Sequence, residues 1–354
     1  MSGRVWARGL WTEAFRIERG GVDPIAGLAG ALATCTPLAL GVATGEPAIG
    51  VSACFGGLNA ALGVPRGTLP ERLGWGTGAA VLSSVSVALA TVVQDSVAAT
   101  VAVAFVWIGL AAFLRTFGPN GGLTGFVTGA IFVITSGLPA GPLDVEERVL
   151  WFALGSAAGV ILMVAAYARD APPSRPAAQP LRDLLRRGVR RFGDALANDS
   201  LLRAHALRLT SIVAATTLLY RLFDIEHGYW VPLTVLAVLQ PEEHASEVRA
   251  VQRAIGTLVG TLAIALITIA TGEEWLMVAA QGLAAFGLFA LFFRGYFWLV
   301  VFLTPTALLT VSAIDYQGVS VAIERVAWSA VGIGVGLAIA ELLWRLAPHR
   351  PTDA

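Results

Sequence analysis

Long apolar segments constrain the fold of this chain more than any other feature. About twelve occur along the 354 residues, and most approach the ~20 apolar residues that a helix needs to cross a bilayer. Only 14% of the residues are charged, whereas soluble domains carry about 25%. The mean hydropathy is +0.72. These values predict an all-α integral membrane protein and exclude a soluble globular domain.

The distribution of charge predicts the orientation of the chain. Arginine is concentrated on alternate connections between the apolar segments, and Asp and Glu dominate the connections in between. The positive-inside rule places the arginine-rich connections in the cytoplasm. We therefore predict a multi-pass protein of a bacterial-type inner membrane, with both termini cytoplasmic. The net charge is zero and gives no sign of a nucleic-acid partner.

Polar stretches divide the chain into five parts. We predict an amphipathic cytoplasmic segment over 1–22, a six-span repeat over 23–168, a basic cytoplasmic linker helix over 169–205, a second six-span repeat over 206–345 and a cytoplasmic tail over 346–354. In the linker, leucines recur at helical spacing among arginines. We expect this helix to contact the anionic lipids of the inner leaflet. Self-association of the chain stays open.

An internal repeat supports the division into two similar halves. ERVLWFALGSAAG (147–159) and ERVAWSAVGIGVG (324–336) share seven of thirteen positions. Arg72 and Arg253 also each precede a Gly-Thr pair. Because six spans return the chain to the same side, we predict two parallel six-helix repeats related by a pseudo-two-fold axis along the membrane normal. Repeats of this kind place a substrate path between the halves.

Four arginines are candidates for lining that path. Arg148 and Arg325 are duplicated and lie at predicted outer ends, against the positive-inside trend. A local ion pair with Glu147, Glu324 or another neighbouring acid is the structural alternative. Arg72 and Arg253 lie at predicted inner ends, where anchoring to the membrane surface is the alternative. Arginine suits a path for anions because its planar fork binds carboxylate through two hydrogen bonds.

Other residue patterns limit the chemistry. The chain contains no nucleophile elbow, phosphate loop or metal-binding helix motif, so we predict neither an enzyme, a cofactor nor a metal site. No carboxylate or histidine stands at mid-span, where proton coupling normally needs one. Glycines four residues apart, at 155 and 159, at 256 and 260 and at 332 and 336, predict close helix contacts.

The segment from His227 to Gly260 resembles the fusaric acid resistance protein-like family, which is grouped with aromatic acid exporters. The resemblance is carried by YWVPLT (229–234), by QP (240–241) and by RAIGTLVG (253–260), and LTPTALL (303–309) is also family-like. The family is similar to plant aluminium-activated malate transporters, in which six-span units pair into a dimer. The resemblance implies that two fused halves would mimic such a dimer.

The resemblance also implies roles for particular residues. It places Arg253 and Arg325 near an anion path. Six further residues become candidates for substrate contact or gating: Tyr229, Trp230, Pro232, Gly256, Thr257 and Thr304. For Tyr229 and Trp230, a place in the aromatic belt at the membrane interface is the alternative.

Three functions agree with these observations. The first is an inner-membrane transporter that exports small organic anions, in particular aromatic carboxylates, along an arginine-lined path between the repeats. The second is a passive organic-anion channel on the same scaffold. The third is a membrane scaffold without transport activity, which would bind partners through the basic linker helix.

Overall fold

The computed structural model describes residues 11–15, 21–138, 141–170, 181–270, 273–314 and 319–346. These residues form helices and turns and contain no β-strand. The predicted tail lies outside the described residues except for residue 346. Of the predicted N-terminal segment, residues 11–15 and 21–22 are described.

Within its described residues, the first half of the chain, as far as residue 170, contributes six α-helices. Proline occupies the first turn of several of them, where the missing N–H has no intrahelical partner to lose. The helices are α1 (Pro24–Thr44), α2 (Pro47–Leu62), α3 (Leu69–Val93), α4 (Val97–Phe113), α5 (Pro119–Gly137) and α6 (Val145–Tyr167).

The linker contains one helix, and the second half contributes six more. The linker helix, α7 (Leu181–Asn198), is amphipathic, as predicted. Its Phe192 ring packs 5.8 Å from Phe113 at the end of α4. The helices of the second half are α8 (Ser200–Leu222), α9 (Trp230–Val238), α10 (Glu243–Ala270), α11 (Glu274–Ala290), α12 (Tyr296–Ser312) and α13 (Val319–Leu346).

Six of the described helices are long and apolar enough to cross a membrane: α1, α3, α4, α6, α10 and α13. Their outward faces are apolar, and Leu40, Val92 and Ile161 are each 60–67% exposed. A soluble monomer rarely exposes so much contiguous apolar surface. The prediction of an all-α membrane protein is therefore confirmed.

The helices pack in the same way in both halves. In the first half, α3 lies against α5 and α6, and α2 lies against α6. In the second half, α10 lies against α12 and α13, and α9 lies against α13. Between the halves, α1 packs on α11 and α4 packs on α8.

Small residues allow the close contacts, as their spacing predicts. A Cβ atom at Gly159 of α6 would lie 2.5 Å from the Gly57 carbonyl oxygen of α2. Gly332 of α13 faces α9 in the same manner, 2.7 Å from Thr234 Cβ. Backbones can approach this closely only where Cβ atoms are absent. The short helices α2 and α9 are thereby held in the interior.

Helix α9 is the shortest of these apolar helices. Its nine residues span about 14 Å, less than half of the ~30 Å hydrocarbon core. All nine are buried. Pro232 lies in the first turn, so it does not interrupt the helix.

Candidate functional site

Three cavities follow one another along helices α5 and α9. The vestibule, about 770 Å³, lies at the Gly137 end of α5 and contains Arg148. The arginine cavity, about 60 Å³, lies beside the middle of α5 and contains Arg253 and Arg325. The histidine cavity, about 30 Å³, lies at the Gly122 end of α5 and contains Arg115 and His205. Helix α5 and the segment from Tyr229 to Leu239 line all three.

Shared side chains separate the cavities. Phe55, Ile131 and Ile134 line both the vestibule and the arginine cavity. Phe126 lines both the arginine cavity and the histidine cavity. Apolar side chains therefore stand between successive cavities.

The arginine cavity lies between the two halves of the chain. The first half supplies an apolar wall that includes Phe55 and Leu58 of α2 and Phe126 of α5. The second half supplies Arg253 of α10 and Arg325 of α13. These two side chains are only 3% and 2% exposed. The structure therefore brings two of the four predicted arginines into one buried cavity.

An aromatic ring, and no carboxylate, accompanies Arg325. Its guanidinium lies 4.0 Å from the centre of the Trp230 ring. Among the described residues, neither Arg325 nor Arg253 forms an ion pair. Arg325 Nη1 and Arg253 Nε also lack hydrogen-bond partners there. A buried charge without a counter-charge is unfavourable, so the cavity favours an anion.

Polar groups beside these arginines add unused hydrogen-bonding capacity. The hydroxyl of Thr304 lines the cavity and has no partner within the described chain. The Thr257 hydroxyl and the Trp230 Nε1–H are likewise buried and unpartnered there. Buried polar groups normally form hydrogen bonds, so these groups are available to a bound molecule.

Close packing sets the direction of Arg253. A Cβ atom at Gly256 would lie 2.9 Å from Val300 Cβ of α12, and one at Gly260 would lie 2.6 Å from the Val301 carbonyl oxygen. Helices α10 and α12 are therefore in close contact one turn beyond Arg253.

Tyr229 packs beside Trp230, with 4.7 Å between ring centres, and also lines the vestibule.

Arg148 lies in the vestibule and not in the arginine cavity. Its guanidinium is 3.4 Å from Thr91 Oγ1 and 3.5 Å from Gln94 Oε1. Arg221 also lines the vestibule and donates to the Gln94 carbonyl. The wall also carries acidic residues, including Asp224. This cavity is therefore polar and of mixed charge.

A local ion pair with Glu324 was the structural alternative for Arg325. In the structure, Glu324 contacts a different residue. Its carboxylate lies 2.9 Å from Nδ1 of His227. His227 has a φ angle of 54° and Asp224 one of 47°, in the left-handed region that few residues other than glycine adopt. The His227–Glu324 contact therefore joins a strained loop to the start of α13.

Arg72 is 1% exposed and lies outside the three cavities. Its guanidinium lies 5.8 Å from the centre of the Tyr167 ring. Near the same ring, Asp23 accepts a hydrogen bond of 2.7 Å from Arg66 and another from Arg169. The role of Arg72 in a path stays a prediction.

The histidine cavity is the part of the site that sequence reasoning missed. Arg115 received no functional role from the sequence, and His205 falls in the predicted linker. Both line the cavity, together with Leu236 and Leu239 of the α9 segment. The sequence offered one signal for this cavity: His205 stands directly before an apolar segment. Within the described ranges, no three His, Cys, Asp or Glu residues form a metal site.

The fold and these cavities define a class: a helical membrane protein with two buried arginines between its halves that form no ion pair among the described residues. Residues 213–339 match the sequence model of the fusaric acid resistance protein-like family. The resemblance predicted from the sequence is thereby confirmed for this segment. The matched segment contains Arg253, Arg325 and helices α9 to α12.

Three curated relatives extend this result. The inner membrane protein YccS of Escherichia coli is 30% identical over 152 residues, which are 41% of this chain and 20% of the relative. An uncharacterised protein of Haemophilus influenzae is 26% identical over 146 residues, 41% of this chain and 20% of its own length. Protein ORF2 of Neisseria gonorrhoeae is 28% identical over 148 residues, 40% of this chain and 34% of its own length.

The chain therefore matches only about a fifth to a third of the length of these relatives. No solved structure matches the chain significantly. The relationship to the Escherichia coli protein and the apolar helices support a multi-pass protein of the inner membrane.

Proposed function

We propose that this protein exports small organic anions, in particular carboxylates with an apolar or aromatic body, across the inner membrane. The observation that carries the proposal is the arginine cavity. Two buried guanidiniums without a described acidic partner face one cavity between the halves. A carboxylate that enters the cavity gives them the counter-charge and the hydrogen-bond acceptors that they lack.

The walls of the cavity suit different parts of such a molecule. Arg253, Arg325 and Thr304 offer N–H and O–H donors on the side of the second half. Phe55, Phe126 and their neighbours form an apolar surface on the side of the first half. A molecule with a charged head and an apolar body would satisfy both. The cavity is small, so side chains such as Phe55 must move before a whole substrate can enter.

The path in this proposal runs from the histidine cavity through the arginine cavity to the vestibule. We place it between two parallel six-helix repeats with twelve spans in total. The equivalent packing of α3 with α5 and α6, and of α10 with α12 and α13, supports this arrangement. The paired contacts α1 with α11 and α4 with α8 are those that a two-fold axis would relate.

The linker helix has a supporting role in the proposal. Arg186, Arg187 and Arg190 are exposed on α7. We propose that they bind anionic lipids of the cytoplasmic leaflet, where each basic residue contributes about 1 kcal/mol. This assignment places both termini in the cytoplasm.

Efflux from reconstituted vesicles tests the proposal. Vesicles are loaded with radiolabelled benzoate or acetate, and initial efflux is measured with and without a pH gradient. We expect saturable flux that favours benzoate and is nearly lost in Arg253→Gln plus Arg325→Gln. Arg203→Gln, an exposed arginine at the start of α8, is the matched control. Unchanged flux in the double variant, with equal insertion, would refute the arginine assignment.

A passive anion channel is the second candidate, and one observation favours it. No Asp, Glu or His residue lines the arginine cavity within the described chain. A carrier driven by protons commonly has such a group beside its substrate site, within the membrane. Benzoate flux that continues unchanged after the proton gradient is collapsed would decide for the channel.

A further inference from the structure

The histidine cavity contains a buried polar group that no other part of the proposed path explains. The cavity is enclosed by α4, α5, α8 and the end of α9. His205 of α8 lines it and is 2% exposed. Its Nδ1 atom has no hydrogen-bond partner among the described residues. A buried imidazole nitrogen without a partner leaves one proton-accepting position unused.

Positive charge surrounds this histidine. The charged groups that act on it are Arg115, at the end of α4, and Arg208, one turn further along α8. Arg115 donates to Gln240 Oε1 at 2.9 Å, and Arg208 donates to the Pro241 carbonyl oxygen at 3.2 Å. The other helices around the cavity contribute apolar residues or glycine, including Phe126.

A further arginine approaches from α10. The Arg249 guanidinium lies 3.9 Å from the centre of the Tyr296 ring. It is close enough to Arg115 for the two charges to repel each other. Within the described chain, neither Arg115 nor Arg249 is in an ion pair. Among the described residues, the positive charges of Arg115 and Arg249 at this end of the path are therefore not neutralised by an acidic partner.

These surroundings keep His205 neutral while the cavity is empty. Burial, together with the charges of Arg115 and Arg208, lowers the pKa of His205 to about 3, although a hydrogen bond with the Gln240 backbone acts in the opposite direction. An anion beside Arg115 would cancel part of the repulsion and would offer an acceptor for an Nδ1–H group. Anion binding therefore raises the pKa of His205.

We propose that the histidine cavity binds weak organic acids as an anion together with one proton. The carboxylate accepts hydrogen bonds from Arg115, and the proton is held between its oxygen and Nδ1 of His205. The proton comes from water or from the acid itself, so the complex gains one negative and one positive charge. The cavity has room for the carboxylate head only, and the body of the acid extends toward the exposed Arg115.

The inference rests on the proposed function only in taking carboxylates as the ligand.

The inference also predicts how the affinity for the anion changes with pH. Because the complex holds one more proton than the free protein and free anion, affinity for the anion rises as pH falls, by up to about tenfold per unit. The increase begins below the pKa of His205 in the complex, and it levels off only where the free imidazole or the free acid is itself protonated.

The test uses the purified full chain in detergent, with sodium benzoate as the probe. Benzoate affinity is measured by calorimetry at pH 5, 6 and 7, and proton uptake is measured with an indicator dye in weak buffer. We expect uptake that approaches about one proton per bound benzoate at low pH. In His205→Gln, we expect affinity to become nearly independent of pH and uptake to disappear. His244→Gln, at the exposed start of α10, is the control and should match the native chain.

Two further variants make the outcome decisive. Arg115→Gln changes an exposed side chain, so it should fold, and it should weaken binding together with proton uptake. Arg253→Gln plus Arg325→Gln should retain proton uptake, which separates this inference from the proposed function. Absence of uptake in the native chain, or uptake that persists in His205→Gln, would overturn the inference. Benzoate binding that does not depend on Arg115 would place the benzoate outside the histidine cavity and would also overturn the inference.

Discussion

The two halves of the molecule share a packing scheme but contribute different chemistry to the central cavity. The second half supplies Arg253 and Arg325, whereas the first half supplies an apolar wall with Phe55 and Phe126. The arginines of the first half, Arg72 and Arg148, lie elsewhere. Helix packing can therefore be similar in two halves while the charged side chains at matching sequence positions reach different places.

Small differences in sequence account for the separation. Arg253 stands three residues before Gly256, and Arg72 stands four residues before Gly76. One residue rotates a side chain by about 100° around a helix, which turns Arg72 toward Tyr167. Helix α6 begins at Val145, close to Arg148, whereas α13 begins at Val319, so that Arg325 lies about one turn deeper in its helix.

The largest contrast is expected between Arg253→Gln and Arg72→Gln. Arg253 faces the arginine cavity, so its loss removes a charge-assisted hydrogen bond to the anion worth about 2 kcal/mol, or about 30-fold in carboxylate flux. Arg72 faces Tyr167, and its replacement should change flux less than about twofold. Efflux rates from vesicles, normalised to inserted protein, measure both. Equal losses would mean that both halves supply charge to the path.

A contrast in stability is expected between Gly159→Ala and its counterpart Gly336→Ala. A Cβ at Gly159 meets the Gly57 carbonyl oxygen at 2.5 Å, whereas one at Gly336 meets Val235 Cγ2 at 3.4 Å. The first substitution should destabilise the fold by about 2 kcal/mol and the second should be near neutral. Unfolding in mixed micelles measures the difference. Gly78→Ala, with open space around it, is the control.

Arg66 and Arg169 have an acidic partner, Asp23, unlike the two arginines of the arginine cavity, so their contribution to stability should depend on pH. Burial alone would raise the pKa of Asp23, but hydrogen bonds from the Ala26 N–H, Arg66 and Arg169 outweigh it and lower this pKa. The resulting stabilisation is present above about pH 4, the ordinary pKa of Asp, and is lost as pH falls further. Asp23→Asn should cost about 1 kcal/mol at pH 7 and remove this acid-dependent loss. Thermal unfolding between pH 3 and 7 measures it, and an unchanged pH profile would contradict the assignment.

The smallest effect is expected at Trp230, the aromatic neighbour of Arg325. Trp230→Phe keeps an aromatic face, so it should weaken benzoate transport by less than about 1 kcal/mol. Trp230→Leu removes the face and should cost more. The apparent KM for benzoate in vesicles measures both. Equal values for the Phe and Leu variants would show that the ring does not position Arg325.

Sequence patterns predicted the helical membrane fold because apolar runs and glycine spacing are local signals. The amphipathic helix at α7 and the close contact at Gly155 and Gly159 follow from them directly. The cavities depend on which helix faces meet, and that is a long-range property. The sequence therefore indicated Arg253 and Arg325 without indicating that they share a cavity. It gave no sign that His205 and Arg115 come together.

Helix α9 connects these regions in a further way. It is one rigid rod about 14 Å long, enclosed on every side. Tyr229, just before its start, borders the vestibule, and Leu239, just after its end, borders the histidine cavity. The two ends of the proposed path therefore share one rigid wall element, and the position of this single helix sets the space at both ends.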